Sequence, residues 1–379
     1  MVQALAASGT AVVTPNQAAD RAQVLAAVRA VAESDAKMQA PIIDRDGLYP
    51  ADMLRKLGAA GAFAQHLSGP GAGGARDLMT TVEAMALVGE YCGCTSFLMW
   101  LQNAFGWYLE VTENTALRDR LQPAVAAAQV FGSSGMSNPV KAMDGIENFK
   151  LRGERVAGGY VVSGVLPYVS NLGIGHVMGT AFELAGDPAR KVMAAFRING
   201  EDVKITQNVH FIGLEGSATY TVVMKRHFVA DEMVLAESLA PYVKRIKPVF
   251  FLLQAGMALG QIRGAINVMR DCDRTHGHAN AYLPKRPDFF EAEAAALRPR
   301  LAALLRDPLD PSEGYLRAVY RARLEAGELA LEAAQAALLH AGAKGYIRGS
   351  EADRRWRETL FVAVVTPALK HLRKALAEM

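Results

Sequence analysis

The hydrophobic period of this chain changes twice, and that limits the folds open to it. From about Pro15 to Ala128 apolar residues recur at helical spacing. Val24, Ala27, Val28, Val31 and Ala32 form one stripe, and Met53, Leu54, Leu57 and Ala60 form another behind Pro50-Ala51-Asp52. Leu78–Tyr91 and Ser96–Val111 continue the pattern, and the glycine-rich run Gly69–Gly74 reads as a loop. From about Gln129 to Glu237 the period becomes two. Turns such as Ala157-Gly158-Gly159 between β-branched runs predict antiparallel hairpins. From about Tyr242 the pattern is helical again, over Phe250–Arg274, Phe289–Arg306, Ser312–His340 and Arg354–Ala377, with Pro367 as a kink or break in the last. Four long antiparallel helices predict a bundle.

The expected fold is therefore mixed α and β in three parts. An N-terminal α-helical domain spans 1–128, a central antiparallel β domain 129–237, and a C-terminal four-helix bundle 238–379. A doubly wound nucleotide-binding fold would alternate strand and helix throughout, and this chain does not.

Composition and missing motifs remove several function classes. With 41 basic and 38 acidic side chains, the surplus of +3 provides no basic stripe for nucleic acid. The apolar run Pro248–Gly260, broken by Gln254, is shorter than the ~20 residues of a bilayer span, so a soluble protein is expected. Met1–Thr14 lacks the basic start of a signal peptide. Three cysteines cannot frame disulfides, which points to a reduced, cytoplasmic setting. Cys92-Gly93-Cys94 reads as buried small side chains. There is no P-loop, no Rossmann glycine spacing and no His-Glu-x-x-His. Asp273, His276 and His278 come nearest to a metal set but lack further ligands, so no metal is expected. The two histidines read as a solvated loop after a helix. Next to substrate, either could serve as acid or base.

Four segments carry a resemblance. They are Val130–Ser137, Gly158–Asn171, Gly213–Ser217 with Phe228–Leu235, and Gly342–Tyr346 with Arg354–Glu358. In this order and spacing, over nearly the whole chain, they resemble the acyl-CoA dehydrogenase superfamily. The resemblance implies a flavoenzyme holding FAD or FMN between the β domain and the bundle. It places Phe131, Ser133 and Ser134 at the flavin's pyrimidine edge, and Tyr168, Ser170 and Asn171 beside the ring. A hydroxyl fixed near the reactive edge of the ring tunes it, and Tyr168 offers a flat face for packing. It also implies a homo-oligomer, a dimer or tetramer packed through the bundles, with Arg263 and Arg270 at an interface or in solvent.

The sequence departs from the family where chemistry is concentrated. α-Proton removal from an acyl thioester needs a carboxylate. The family's usual Glu position falls at Thr366 and the minority position near Phe250, so neither holds an acid. Glu232, Glu237 and Glu358 are the nearest acids in sequence, and Glu358 reads as a partner of Arg354 or Arg357. The family's arginine motif for the FAD pyrophosphate is replaced by His276–Asn280, and its glutamine before the glycine turn by Leu339. Three readings follow. One is an acyl-CoA dehydrogenase-like oxidoreductase with a relocated base, acting on a small molecule such as an acyl thioester. A second is a monooxygenase of the same fold, using O2 and reduced flavin from a partner reductase. The third is a non-catalytic relative.

Overall fold

A computed structural model describes residues 21–69, 72, 76–207 and 209–379. The expected helical residues before Arg21 and most of the Gly69–Gly74 run lie outside the described residues. The N-terminal helices are α1 (Arg21–Val31), α2 (Lys37–Asp46), α3 (Ala51–Ala59), α4 (Leu78–Gly89), α5 (Gly93–Val111) and α6 (Thr115–Ala126). Asp77 caps α4, its carboxylate accepting from the Thr80 amide at 2.9 Å. Cys92 caps α5 through its thiol, and Cys94 is buried behind it. α4 and α5 are buried nearly all round, which fits their predominantly apolar composition.

The sheet comprises β1 (Gly132–Ser134), β2 (Leu151–Val156), β3 (Gly159–Val169), β4 (Val177–Leu184), β5 (Asp187–Arg197), β6 (Val203–Thr206), β7 (Tyr220–Ala230) and β8 (Val234–Ala236); α7 (Ser137–Met143) follows β1. Its order is β6-β7-β3-β2-β4-β5-β8, with β1 on β4. The β2–β3 hairpin turns at Gly158, whose φ of +77° suits glycine. The sheet is mixed, which corrects the wholly antiparallel expectation: β4 runs parallel to both β1 and β2. The far edge of β3 is taken by β7, so the chain leaving β3 pairs on β2 instead.

The C-terminal helices are α8 (Leu239–Asn280), α9 (Pro287–Leu304), α10 (Glu313–Ala341), α11 (Glu351–Val364) and α12 (Leu369–Glu378). α8 is long and apolar enough to cross a bilayer by length and composition, but 94% of its most apolar window is buried inside the protein. It is the central helix, and α4, α5 and α10 pack on it. It crosses α4 where Gly260 meets Gly89; a Cβ at 260 would stand 2.6 Å from the Gly89 Cα. α8 also runs on through His276 and His278, so these lie on its last turns rather than in a loop. The expected fourth bundle helix is broken in two, α11 and α12, around a cis Thr366–Pro367 bond.

Candidate functional site

Between the sheet, α5, α8 and the α11–α12 turn lies a cleft of about 970 Å³. On the sheet side it is lined by hydroxyls. Ser170 Oγ meets Thr219 Oγ1 at 2.6 Å, and Thr219 meets Ser217 Oγ at 2.7 Å. Ser134 Oγ shares a 2.7 Å hydrogen bond with the buried Tyr108 hydroxyl. Tyr168 stands over the opening, 58% exposed, with its ring edge-on to Phe211 at 5.8 Å. The backbone here is held in unusual conformations: Tyr168, Asn171, Leu214 and Ala218 all have positive φ. Such angles cost about 1–3 kcal/mol for a bulky residue, and they cluster at functional sites.

Of the six residues placed at the flavin by resemblance, Ser134, Tyr168 and Ser170 line this cleft. The other three have side chains engaged elsewhere. Ser133 is buried and donates to the Ser170 carbonyl at 2.5 Å. Asn171 donates to the Gly132 carbonyl at 2.8 Å and accepts from Tyr49 at 2.5 Å. Phe131 packs edge-on against Tyr49 and His176. Ser133 and Asn171 thereby tie β1 to the end of β3 and hold Ser134 and Ser170 at one rim, while Phe131 packs on Tyr49 in the α2–α3 connection.

Residues 18–129 match the family described as acyl-CoA dehydrogenase, N-terminal domain. No curated protein matches the chain in sequence. Among solved structures the chain is similar to butyryl-CoA dehydrogenase from Megasphaera elsdenii, with a TM-score of 0.83 at 12% identity, covering 94% of this chain and 97% of that one. It is also similar to dibenzothiophene monooxygenase from Paenibacillus sp. A11-2, with a TM-score of 0.80 at 14% identity over 94% and 96%. That enzyme has been solved in a complex with FMN and indole. A third is nitrososynthase from Micromonospora carbonacea var. africana, with a TM-score of 0.78 at 16% identity over 96% and 98%. The chain shares the fold of these structures, and residues 18–129 match the N-terminal domain of acyl-CoA dehydrogenases.

The helical wall of the cleft carries Thr366 and Phe250, the two positions that the sequence resemblance assigns to the family's catalytic acid. Thr366 lines the cleft, and its Oγ1 meets Ser137 Oγ at 2.8 Å. Its carbonyl accepts from Gln254 at 2.9 Å, and Gln254 accepts from the buried Arg323 at 2.5 Å. Arg323 also donates to the Val362 carbonyl at 2.6 Å, so it ties α10 to α11 just before the turn. Burial pushes its pKa down to about 10, still cationic at neutral pH. Phe250 lines the cleft as an apolar wall.

The carboxylates nearest in sequence are committed elsewhere. Glu232 pairs with Arg120 at 3.0 Å, and Glu237 accepts from Tyr160 at 2.6 Å. Glu358 is buried, paired with Arg354 at 3.2 Å, and accepts from the Gly93 amide at 3.0 Å. Arg357 instead reaches Asp44 and Asp353. Arg263 and Arg270 pair within the chain, with Glu83 and Glu291.

Sequence reasoning missed the polar groups at the cleft mouth: Lys141, Glu147, Lys370 and His371. Glu147 is the carboxylate among the described lining residues, and Lys141 holds it at 3.0 Å. Asn138 and Lys141 draw its pKa below the usual range despite partial burial. His371 is held below its ordinary value, first by burial and then by Lys370 and Lys141, and is a neutral imidazole near pH 7. Asp273 pairs with His340 and Arg286, away from the cleft. Among the described residues no group of three His, Cys, Asp or Glu is set to hold a metal.

Proposed function

We propose that this chain is a flavin-dependent monooxygenase on the acyl-CoA dehydrogenase fold. The observation that carries the reading is the Thr366–Ser137 hydroxyl pair in the cleft wall, at the position to which the resemblance assigns a dehydrogenase's proton-abstracting carboxylate. The cleft suits FMN or FAD. The hydroxyl chain Ser170–Thr219–Ser217 and the Ser134 hydroxyl supply donors and acceptors for a polar ring edge, and Tyr168 supplies an exposed aromatic face. A reduced flavin bound there supplies the electrons for oxygen activation. The residues of this chain hold the ring edge, wall the cleft with apolar side chains against water, and place the Thr366 and Ser137 hydroxyls where they can donate to a bound oxygen species or substrate. The acyl-CoA dehydrogenase name attaches to the fold and not to this reaction, and the dibenzothiophene monooxygenase with FMN supports the reading as a relative of the same architecture. We further propose that the protein is cytoplasmic, receives reduced flavin from a reductase, and works as a homo-oligomer.

The test has two arms. Flavin-loaded protein mixed anaerobically with short- and medium-chain acyl-CoAs is expected to keep its flavin absorbance; bleaching with any of them overturns the reading in favour of a dehydrogenase with Glu147 as base. Reduced flavin on the protein, mixed with oxygen, is expected to lose its reduced spectrum promptly and to regain the oxidised spectrum at least about tenfold more slowly than free reduced flavin, because the cleft walls exclude water. An unchanged rate overturns oxygen control by the cleft.

A further inference from the structure

We infer that the cleft takes a planar aromatic substrate carrying an anionic group; this rests on reading the cleft as the flavin and substrate site. The first ground is an aromatic wall. Phe97 and Trp100 from α5, Phe250 from α8 and Phe361 from α11 all line the cleft. Phe97 meets Phe361 at 4.5 Å between ring centroids, Trp100 meets Phe250 at 4.7 Å, and Phe97 and Trp100 stack within 20° of parallel at 5.8 Å. The Trp100 indole N–H is already satisfied by the Phe250 carbonyl at 3.0 Å, which fixes the ring and leaves it only apolar surface to offer. Four rings from three helices form a rigid surface whose best complement is another flat π face. A flexible alkyl chain gains nothing from this geometry that aliphatic walls would not give.

The second ground is charge. Glu147 is neutralised by Lys141, and Arg357 by Asp44 and Asp353. Lys370 lines the cleft with no carboxylate partner among the described residues. Behind the wall the fully buried Arg323 also lacks a carboxylate among the described residues; its partners are the neutral Gln254 and the Val362 carbonyl. His371 adds a neutral imidazole at the same rim, a hydrogen-bond donor without charge. Two uncompensated cations, one at the mouth and one in low dielectric behind the Thr366 turn, give the cleft a positive field that an anionic substrate completes.

The test is calorimetric titration of FMN-loaded protein with 2-naphthoate, 2-naphthalenemethanol, cyclohexanecarboxylate and butyryl-CoA, repeated without FMN. 2-Naphthoate is expected to bind at least about tenfold more tightly than the neutral alcohol and than the saturated acid. Lys370→Ala, at an exposed side chain, is expected to bring naphthoate down to the affinity of the alcohol. Phe361→Leu is expected to weaken both naphthalenes and leave cyclohexanecarboxylate unchanged. Equal affinities for naphthoate and the saturated acid, no effect of Lys370→Ala, or tighter binding of butyryl-CoA each overturns the inference. Full FMN binding with no naphthoate binding overturns it while sparing the flavin reading. Naphthoate binding without any FMN binding supports it and overturns the flavin reading.

Discussion

The hydroxyls of Ser137 and Thr366 meet at 2.8 Å, joining the first turn of α7 to the turn between α11 and α12. This bond closes one wall of the cleft across 229 residues of chain. A neutral hydrogen bond of this kind contributes about 1 kcal/mol net. Thr366→Val and Ser137→Ala are each expected to lower unfolding free energy by about that amount, and the double variant by little more than either single one. Urea titrations of the four proteins measure the coupling. Fully additive losses would show that the two hydroxyls act independently.

The proposed flavin site sets residues whose side chains line the cleft apart from those that hold them in place. Ser170→Ala and Tyr168→Ala are expected to weaken flavin binding, Ser170→Ala by roughly three- to tenfold for one lost hydrogen bond. Ser133→Ala removes the buried bond to the Ser170 carbonyl, so it should lower thermal stability as well as flavin affinity. Flavin titrations and melting curves on the three variants distinguish the roles. Unchanged flavin affinity in both Ser170→Ala and Tyr168→Ala would move the flavin out of this cleft.

Hydrophobic period and turn residues were enough to read the helical and sheet regions, because those signals are local. The partner choice of β4 was not, since it depends on β7 occupying the far edge of β3, about sixty residues later. On the sheet side Ser134, Tyr168 and Ser170 entered through the family resemblance, since their local pattern reads only as a strand end with a turn. Pro367 reads as a kink or break, but the pattern does not say where the chain goes after it; α12 starts beyond the turn with Lys370 and His371 lining the cleft. Glu147 sits in an irregular segment after α7 that carries no periodic signal. Arg323 carries no sequence signal that sets it apart from the other charged residues of α10; the packing of α10 on α8 makes it a buried cation.

The buried pair Arg354–Glu358 anchors the start of α5 to α11, because Glu358 also accepts from the Gly93 amide. Removing one partner of a buried ion pair leaves the other charged and desolvated. Glu358→Ala is therefore expected to cost about 3–5 kcal/mol. Denaturant unfolding checks this, and a loss below about 1 kcal/mol would mean that water reaches Arg354.

The crossing of α4 and α8 leaves no room for a side chain at Gly260, where a Cβ would meet Gly89 Cα at 2.6 Å and the Ala86 carbonyl at 3.0 Å. Both obstacles are backbone and cannot rotate aside. Gly260→Ala is expected to force the helices apart and cost about 1–3 kcal/mol despite the better helix propensity of alanine. A thermal melt that is unchanged or higher would show that the crossing can relax.

His66 gives the fold a pH dependence that can be isolated. Its ring is fully buried, and burial holds its pKa down to about 4, against 6.5 when unperturbed, although Glu110 and the Asn103 backbone pull it upward. Between these values the unfolded chain takes up a proton that the folded protein does not, so stability falls as pH drops from 6.5 toward 4. At 1.36 kcal/mol per pH unit the full loss is about 3 kcal/mol, and below about pH 4 both states are protonated and the loss stops growing. His176 and His371 are also depressed and contribute in the same direction, so the measurement must be a difference. Urea unfolding of the wild type and of His66→Leu at about pH 7 and about pH 4.5 supplies it. The stability of the wild type relative to the variant is expected to fall by about 2–3 kcal/mol between the two conditions. A relative stability that does not change with pH would mean that His66 is protonated in the folded protein, with water or a carboxylate such as Glu110 reaching the ring.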